Sequence, residues 1–200
     1  MHNEVYRRFD QICARRRAGG AVLEIGAMPS PSTLLNLPSL NGAAEKIGIN
    51  FEGASQFDGI TIFKVNANSM EQFPAGRFDT VLSNSMLEHD KFFWKTLSEI
   101  RRVTKPGGLI VLGSPGYGRP ISEKWTKRIA RNIPVIGGRL QRRYADLFAS
   151  TLTLHVHNFP GDYYRFSEQA FREVFFEGMR DVEVFSVLTP PRLIGVATKP

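Results

Sequence analysis

The spacing of short apolar runs constrains this chain most. Ala21-Val-Leu-Glu-Ile-Gly26, Glu45-Lys-Ile-Gly-Ile-Asn50, Ile60-Thr-Ile-Phe-Lys-Val65, Phe78-Asp-Thr-Val-Leu-Ser83 and Leu109-Ile-Val-Leu112 each have the length and content of a buried strand. Helical or loop stretches separate them. The plainest helix spans 90–104, where Phe93, Leu97, Ile100 and Val103 recur at helical spacing before Pro106-Gly107-Gly108. Another, over 3–17, places Val5, Phe9, Ile12 and Cys13 on one face and ends at Gly19-Gly20. Residues 32–37 have room for only a short helix. Strands alternating with crossovers imply parallel pairing through right-handed connections. A sheet of that kind binds ligands beyond the carboxyl ends of its strands.

The last third reads differently. Residues 116–160 form an insertion with helical stretches. Residues 167–177 are helical, with Phe171, Val174 and Phe175 facing inward. Asp181 to Val187 and Leu193 to Thr198 are strands, and the Thr189-Pro-Pro-Arg192 link is short enough for a hairpin, hence an antiparallel edge. No repeat, low-complexity tract or linker interrupts the 200 residues, so a single domain, 1–200, is expected. Its elaborations are the helix within 1–18 and a helical lid over 116–160.

Charge is unevenly placed. The net charge is +7, with +3 in residues 1–20, +5 in 121–149 and −1 elsewhere. Basic stretches of this kind are either solvated helix faces or contacts for an anionic surface. Within 121–149, Ile121, Trp125, Ile129 and Ile133 make an apolar stripe with Lys124, Lys127, Arg128 and Arg131 mainly off it. Such a helix packs as a lid or lies on an anionic membrane. No aromatic-basic platform accompanies it, so nucleic acid is not an expected partner. The single cysteine, Cys13, excludes an internal disulfide and fits a reducing, cytoplasmic setting. No apolar run approaches the length of a membrane-spanning helix, and the first residues lack the apolar core of an export signal.

Few residues carry chemistry. Gly26 ends a buried strand, where a missing side chain lets backbone approach a ligand, and Glu24 precedes it by two positions. Of the four histidines, His89 follows the fourth strand and reads as a general base or as a helix-start residue. His155 and His157 fall on one side of an extended segment that leads into Asp162-Tyr163-Tyr164-Arg165 and Ser167. That segment is either a pocket wall, with His155, His157 or Tyr163 as a candidate base, or a brace. In the brace, Asp162 or Arg165 satisfies backbone groups and Ser167 caps the next helix. Two histidines and Asp162 lack the spacing of a zinc ligand set, so no metal is expected.

The order of segments resembles a class I S-adenosylmethionine-dependent methyltransferase, of the broad group that includes ubiquinone- and menaquinone-biosynthesis-type enzymes. The resemblance is carried by Val22-Leu-Glu-Ile-Gly-Ala27, Arg77-Phe-Asp-Thr-Val-Leu-Ser83, Met86-Leu-Glu-His89 and Glu99-Ile-Arg-Arg-Val-Thr-Lys-Pro-Gly-Gly-Leu-Ile-Val111. The last is the most specific. The resemblance covers about residues 20–115 well and 167–198 in general plan. It implies an α/β, Rossmann-like, seven-stranded, mostly parallel sheet with an antiparallel C-terminal hairpin; the insertion after strand five lies outside it.

The resemblance also implies S-adenosylmethionine as cofactor and a small-molecule methyl acceptor as partner. The turn Gly26 to Ser30, including Ala27 and Met28, would wrap the amino-acid end of the cofactor, with Glu24 nearby. Asn50, followed by Phe51, would meet the ribose. Asn66, Ala67 and Asn68 would sit by the adenine, and Asn84 and Ser85 under the methionine part and the acceptor. The chain departs from the family pattern at three places. Only the first glycine of the glycine-rich turn remains, and Asn50 and Asn66 stand where the family has carboxylates. An amide is a weaker acceptor than a carboxylate, so weaker or differently posed cofactor binding is expected. The expected function is methyl transfer to an O or N atom of a small molecule. The alternatives are a non-catalytic binding protein with the same fold and a methyltransferase acting on a lipid-like acceptor at a membrane surface. A dinucleotide fold is excluded, since G-x-G-x-x-G and its distal acid are missing.

Overall fold

The computed structural model describes residues 1–118, 151–156 and 161–200. In chain order the elements are α1 (Asn3–Arg15), β1 (Ala21–Ile25), two 3-10 turns (Leu34–Asn36 and Pro38–Leu40), β2 (Glu45–Asn50), β3 (Ser55–Phe57), β4 (Ile60–Lys64), β5 (Phe78–Asn84), α2 (Phe93–Val103), β6 (Thr104–Pro115), β7 (Tyr117–Gly118), β8 (Leu152–Thr153), α3 (Glu168–Ala170), β9 (Arg180–Val187) and β10 (Arg192–Thr198). The main sheet has the order β3-β4-β2-β1-β5-β6-β10-β9. Strands β4, β2, β1, β5 and β6 run parallel, while β10 is antiparallel to both β6 and β9.

The sheet has eight strands where seven were expected. The addition is β3, which folds back antiparallel on β4 with Phe57 opposite Ile60. Its two-residue turn is Asp58-Gly59, both at positive φ (51° and 76°). A hairpin that tight needs left-handed backbone at both positions, which Asp-Gly tolerates. The signal was present in the sequence; the strand is too short to show as an apolar run.

Alternation along the strands sends neighbours to opposite faces. Val22, Leu82, Val111 and Ile194 join the cluster built on Val5, Phe9, Ile12 and Cys13 of α1. Leu23, Val81, Ile110 and Leu193 join the cluster built on Leu97, Ile100 and Val103 of α2 and Phe171, Phe175 and Phe176. Both faces are thus covered, and burying each such side chain is worth ~1.5–3 kcal/mol. Burial also pushes the Cys13 thiol up to about 12, so it stays protonated.

One inward face was misread. Val174 is 46 % exposed and Phe176 is buried in its place. The cause is a π turn over Phe171–Phe175, in which the Phe176 amide donates to the Phe171 carbonyl at 3.0 Å. The wider turn changes the inward set from 171, 174 and 175 to 171, 175 and 176. Gly195 on β10 makes room, since a Cβ there would strike the rings of Phe171 and Phe176.

The most family-specific segment does structural work at the edge of the sheet where the parallel strands begin. Lys105 Nζ donates to both Asp79 carboxylate oxygens (2.7 and 2.8 Å), holding Asp79 below the usual carboxylate range, and Asp79 accepts from the Ala21 amide at 2.8 Å. Gly107, at φ 75°, donates to the Lys199 carbonyl. Glu99 accepts from Arg102 and from the Met70 amide, while Arg102 donates to the Met70 and Phe73 carbonyls. The described ends of the 116–160 insertion form a short ladder, β7 with β8, pairing Tyr117 with Thr153. The rest of that segment, where a helical lid is expected, lies outside the described residues, the basic stretch 121–149 included.

Candidate functional site

Beyond the carboxyl ends of β1, β2, β4 and β5 lies a cleft of about 910 Å³. That volume suits a ligand of several tens of atoms. Its floor is Gly26. The Gly26 and Ala27 amides both donate to the Ile49 carbonyl (2.8 and 3.0 Å), folding the turn against β2. Gly26 has φ 81°, and a Cβ there would sit 2.9 Å from Met86 Cβ and Cγ. Both the backbone and the close approach require glycine here.

Most of the anticipated positions line this cleft: Glu24, Gly26, Met28, Asn50, Phe51, Asn66, Ala67, Asn68, Asn84 and Ser85. Ala27 does not; its side chain is fully buried in the α1-side core, and only its backbone shapes the turn. Glu24 is buried and accepts from the Thr33 hydroxyl and the Leu35 amide, anchoring the turn over the site. Burial raises its carboxyl to about 7.

Asn50 is committed at both ends of its amide. Nδ2 donates to the Ala27 carbonyl at 3.0 Å and Oδ1 accepts from the Gly53 amide at 3.0 Å. An ionised aspartate could not make the first bond, which accounts for an amide here. Asn66 Oδ1 accepts from the Asn68 amide, and Asn68 Nδ2 donates to Asp90 and Thr96, each at 2.8 Å. The amides of this half of the cleft therefore hold its loops as well as lining it.

The other half is shaped by residues 161–165 seated on the turn 88–91. The Tyr163 amide donates to the Glu88 carbonyl at 2.8 Å, Tyr164 hydroxyl to the Lys91 carbonyl at 3.0 Å, and His89 Nδ1 to the Gly161 carbonyl. Asp162 and Arg165 form a two-point ion pair with side chains 0 % and 12 % exposed. Arg165 also donates to the Tyr164 and His155 carbonyls (2.8 and 3.0 Å), and Ser167 accepts from the Ala170 amide. Asp162, Arg165 and Ser167 are the brace, while Tyr163 projects into the cleft, 56 % exposed.

Of the four candidate bases, His89 and Tyr163 line the cleft. His155 does not: it is exposed, and its carbonyl serves Arg165. His157 lies outside the described residues. A carbonyl only accepts, so Nδ1 of His89 carries the proton and Nε2 is the basic nitrogen of the neutral ring.

Two residues of this region were missed in the sequence. Glu88 is fully buried beneath the cleft, with Oε2 accepting from Ser114 at 3.3 Å and burial raising its carboxyl to about 7. Arg192 lines the cleft and donates from Nη1 to Ser85 Oγ at 2.8 Å. An antiparallel last strand starts at the edge where parallel strands end, and that was the available signal for Arg192.

Residues 38–112 match the family model described as a methyltransferase domain. No curated protein matches the sequence. Among solved structures, this chain is similar to the Burkholderia thailandensis 1,6-didemethyltoxoflavin-N1-methyltransferase with bound S-adenosylhomocysteine (TM-score 0.62, 15 % identity, 98 % of this chain and 79 % of that one). It is similar to an S-adenosylmethionine-dependent methyltransferase from Archaeoglobus fulgidus (TM-score 0.61, 16 % identity, 98 % and 93 %). It is also similar to the cyclase SpnF (TM-score 0.62, 14 % identity, 98 % and 80 %), so the shared fold does not by itself fix the chemistry. The match over residues 38–112 and the mixed sheet closed by an antiparallel hairpin give this chain a central stretch that resembles a methyltransferase domain and the fold of S-adenosylmethionine-dependent methyltransferases.

Proposed function

We propose that the protein transfers a methyl group from S-adenosylmethionine to an O or N atom of a small-molecule acceptor. The observation that carries this reading is the cleft itself, floored by Gly26 at φ 81° and lined by Asn50 and Asn66 on the β2–β4 side of β1 and by Asn84 on the β5 side, with His89 and Tyr163. Its residues fit the cofactor: a side-chain-free floor for close backbone approach and amides on both flanks. When bound, the cofactor supplies an electrophilic methyl carbon on a sulfonium. The chain's own tasks are to hold the acceptor in line about 3 Å away, exclude water and take up the acceptor's proton. His89 is the base of this proposal, and Tyr163 the wall beside it.

Calorimetric titration with S-adenosylhomocysteine tests the cofactor. Micromolar binding, about −8 kcal/mol, is expected for the wild type and none for Gly26→Arg, which fills the floor. Equal affinity in the two proteins would refute this site. His89→Ala is expected to lose about 10²-fold or more in turnover at unchanged cofactor affinity, and Tyr163→Phe less.

A second reading, a non-catalytic relative, is favoured by the commitment of both ends of the Asn50 amide and by Met28, 44 % exposed in the turn. Cofactor binding without turnover across an acceptor screen would support it. The finer ubiquinone-type grouping rests on the four resembling segments, 99–111 above all, and the cytoplasmic setting on the lone Cys13 and the missing apolar signal core of the first residues. A lipid-like acceptor rests on the basic stretch 121–149; failure to sediment with anionic vesicles would end it. Among the described residues no helix is long and apolar enough to cross a membrane.

A further inference from the structure

We propose that Arg192 is an anion-binding residue of the acceptor half of the cleft, and that the acceptor bears a carboxylate or phosphate group. This inference rests on the cleft being the methyl-transfer site and adds a substrate class to it.

The argument starts from position. β10 is separated from β1 by β5 and β6, whereas Asn50 ends β2 and Asn66 follows β4 on the other side of β1. Arg192, the first residue of β10, thus enters from the side opposite the predicted ribose and adenine contacts. Its Nη1 reaches Ser85, which is held at φ 54° just past β5. His89, Lys91 and Tyr163 line the same cleft.

Charge completes the argument. Among the described residues Arg192 makes one side-chain hydrogen bond and no ion pair, although a guanidinium has five donors. The two neighbouring charges are poor counterions. Glu88 lies beyond ion-pair distance, and its burial leaves the carboxyl substantially protonated near neutrality. Arg165 is a like charge, and its own partner is Asp162. Partial burial disfavours the charged form of Arg192, so its cation is under-solvated and under-paired. A planar fork of free donors facing a cleft matches the oxygens of a carboxylate or phosphate.

The same chemistry has a second source, the carboxylate at the amino-acid end of the cofactor. The test separates them. Inorganic phosphate is titrated into wild type, Arg192→Gln and Arg192→Lys, each free and loaded with S-adenosylhomocysteine. Unfolding midpoints confirm that the variants are folded. The expected result is phosphate binding to the wild type that falls at least tenfold in Arg192→Gln and partly recovers in Arg192→Lys, with S-adenosylhomocysteine affinity unchanged. Equal phosphate affinity in wild type and Arg192→Gln overturns the proposal. So does a loss in Arg192→Gln of S-adenosylhomocysteine affinity but not of methylthioadenosine affinity, since that assigns the arginine to the cofactor's carboxylate. Because free protein is also titrated, the anion site is read even where the wild type binds no S-adenosylhomocysteine, a result that would defeat the methyl-transfer reading alone.

Discussion

The side-chain amide of Asn50 donates to the backbone carbonyl of Ala27 at 3.0 Å, tying the end of β2 to the turn after β1. An aspartate at 50 would place a carboxylate oxygen against that carbonyl. Asn50→Asp should therefore destabilise the fold by about 1–2 kcal/mol at neutral pH. The loss should shrink in acid, where the protonated carboxyl again donates. Urea denaturation at both pH values checks this, and a variant as stable as wild type at pH 7 would show that the bond contributes nothing.

Glu88 gives a pH signature. Its carboxyl is raised by burial from 4.5 to about 7. Its stabilising effect is complete below the unfolded value and is lost as pH rises through the folded value. Wild type should thus lose stability relative to Glu88→Gln between about pH 4.5 and 8, by an amount on the order of 2–3 kcal/mol. The reading is the difference in unfolding free energy between the two proteins at several pH values. A flat difference would mean that Glu88 is solvated.

The Asp162–Arg165 pair predicts a larger effect. Removing Asp162 leaves a guanidinium uncompensated in a nearly buried site. Asp162→Ala should cost about 3–5 kcal/mol, and Tyr163 should lose its fixed position in the cleft. Thermal unfolding measures the first effect and tyrosine fluorescence the second. A loss under 1 kcal/mol would make the pair a surface feature.

The π turn predicts unequal neighbours. Phe176→Ala should cost about 3–5 kcal/mol, while Val174→Ala should fall within about 0.5 kcal/mol of wild type. Comparable losses in the two variants would return Val174 to the core.

The parallel strands, the helices α1 and α2 and the terminal hairpin were legible in the sequence because each is written in local periodicity. Gly26 and the positions after β1, β2, β4 and β5 were legible because a parallel sheet puts its ligand edge at the strands' carboxyl ends. The family motif at 99–111 was readable too, yet it braces the opposite edge through Lys105–Asp79 and the β4–β5 connection through Glu99–Arg102. What only the tertiary structure decided depends on groups far apart in the chain. The 161–165 segment became both a brace and, through Tyr163, a wall of the cleft because its backbone docks on Glu88. His155, being exposed, does not line the cleft. Val174 gave way to Phe176 because the π turn changed the phase. Arg192 entered the site because an antiparallel strand begins where the parallel ones end. Periodicity is a local property of sequence; burial, ion pairing and the direction of a strand are set by what packs against it.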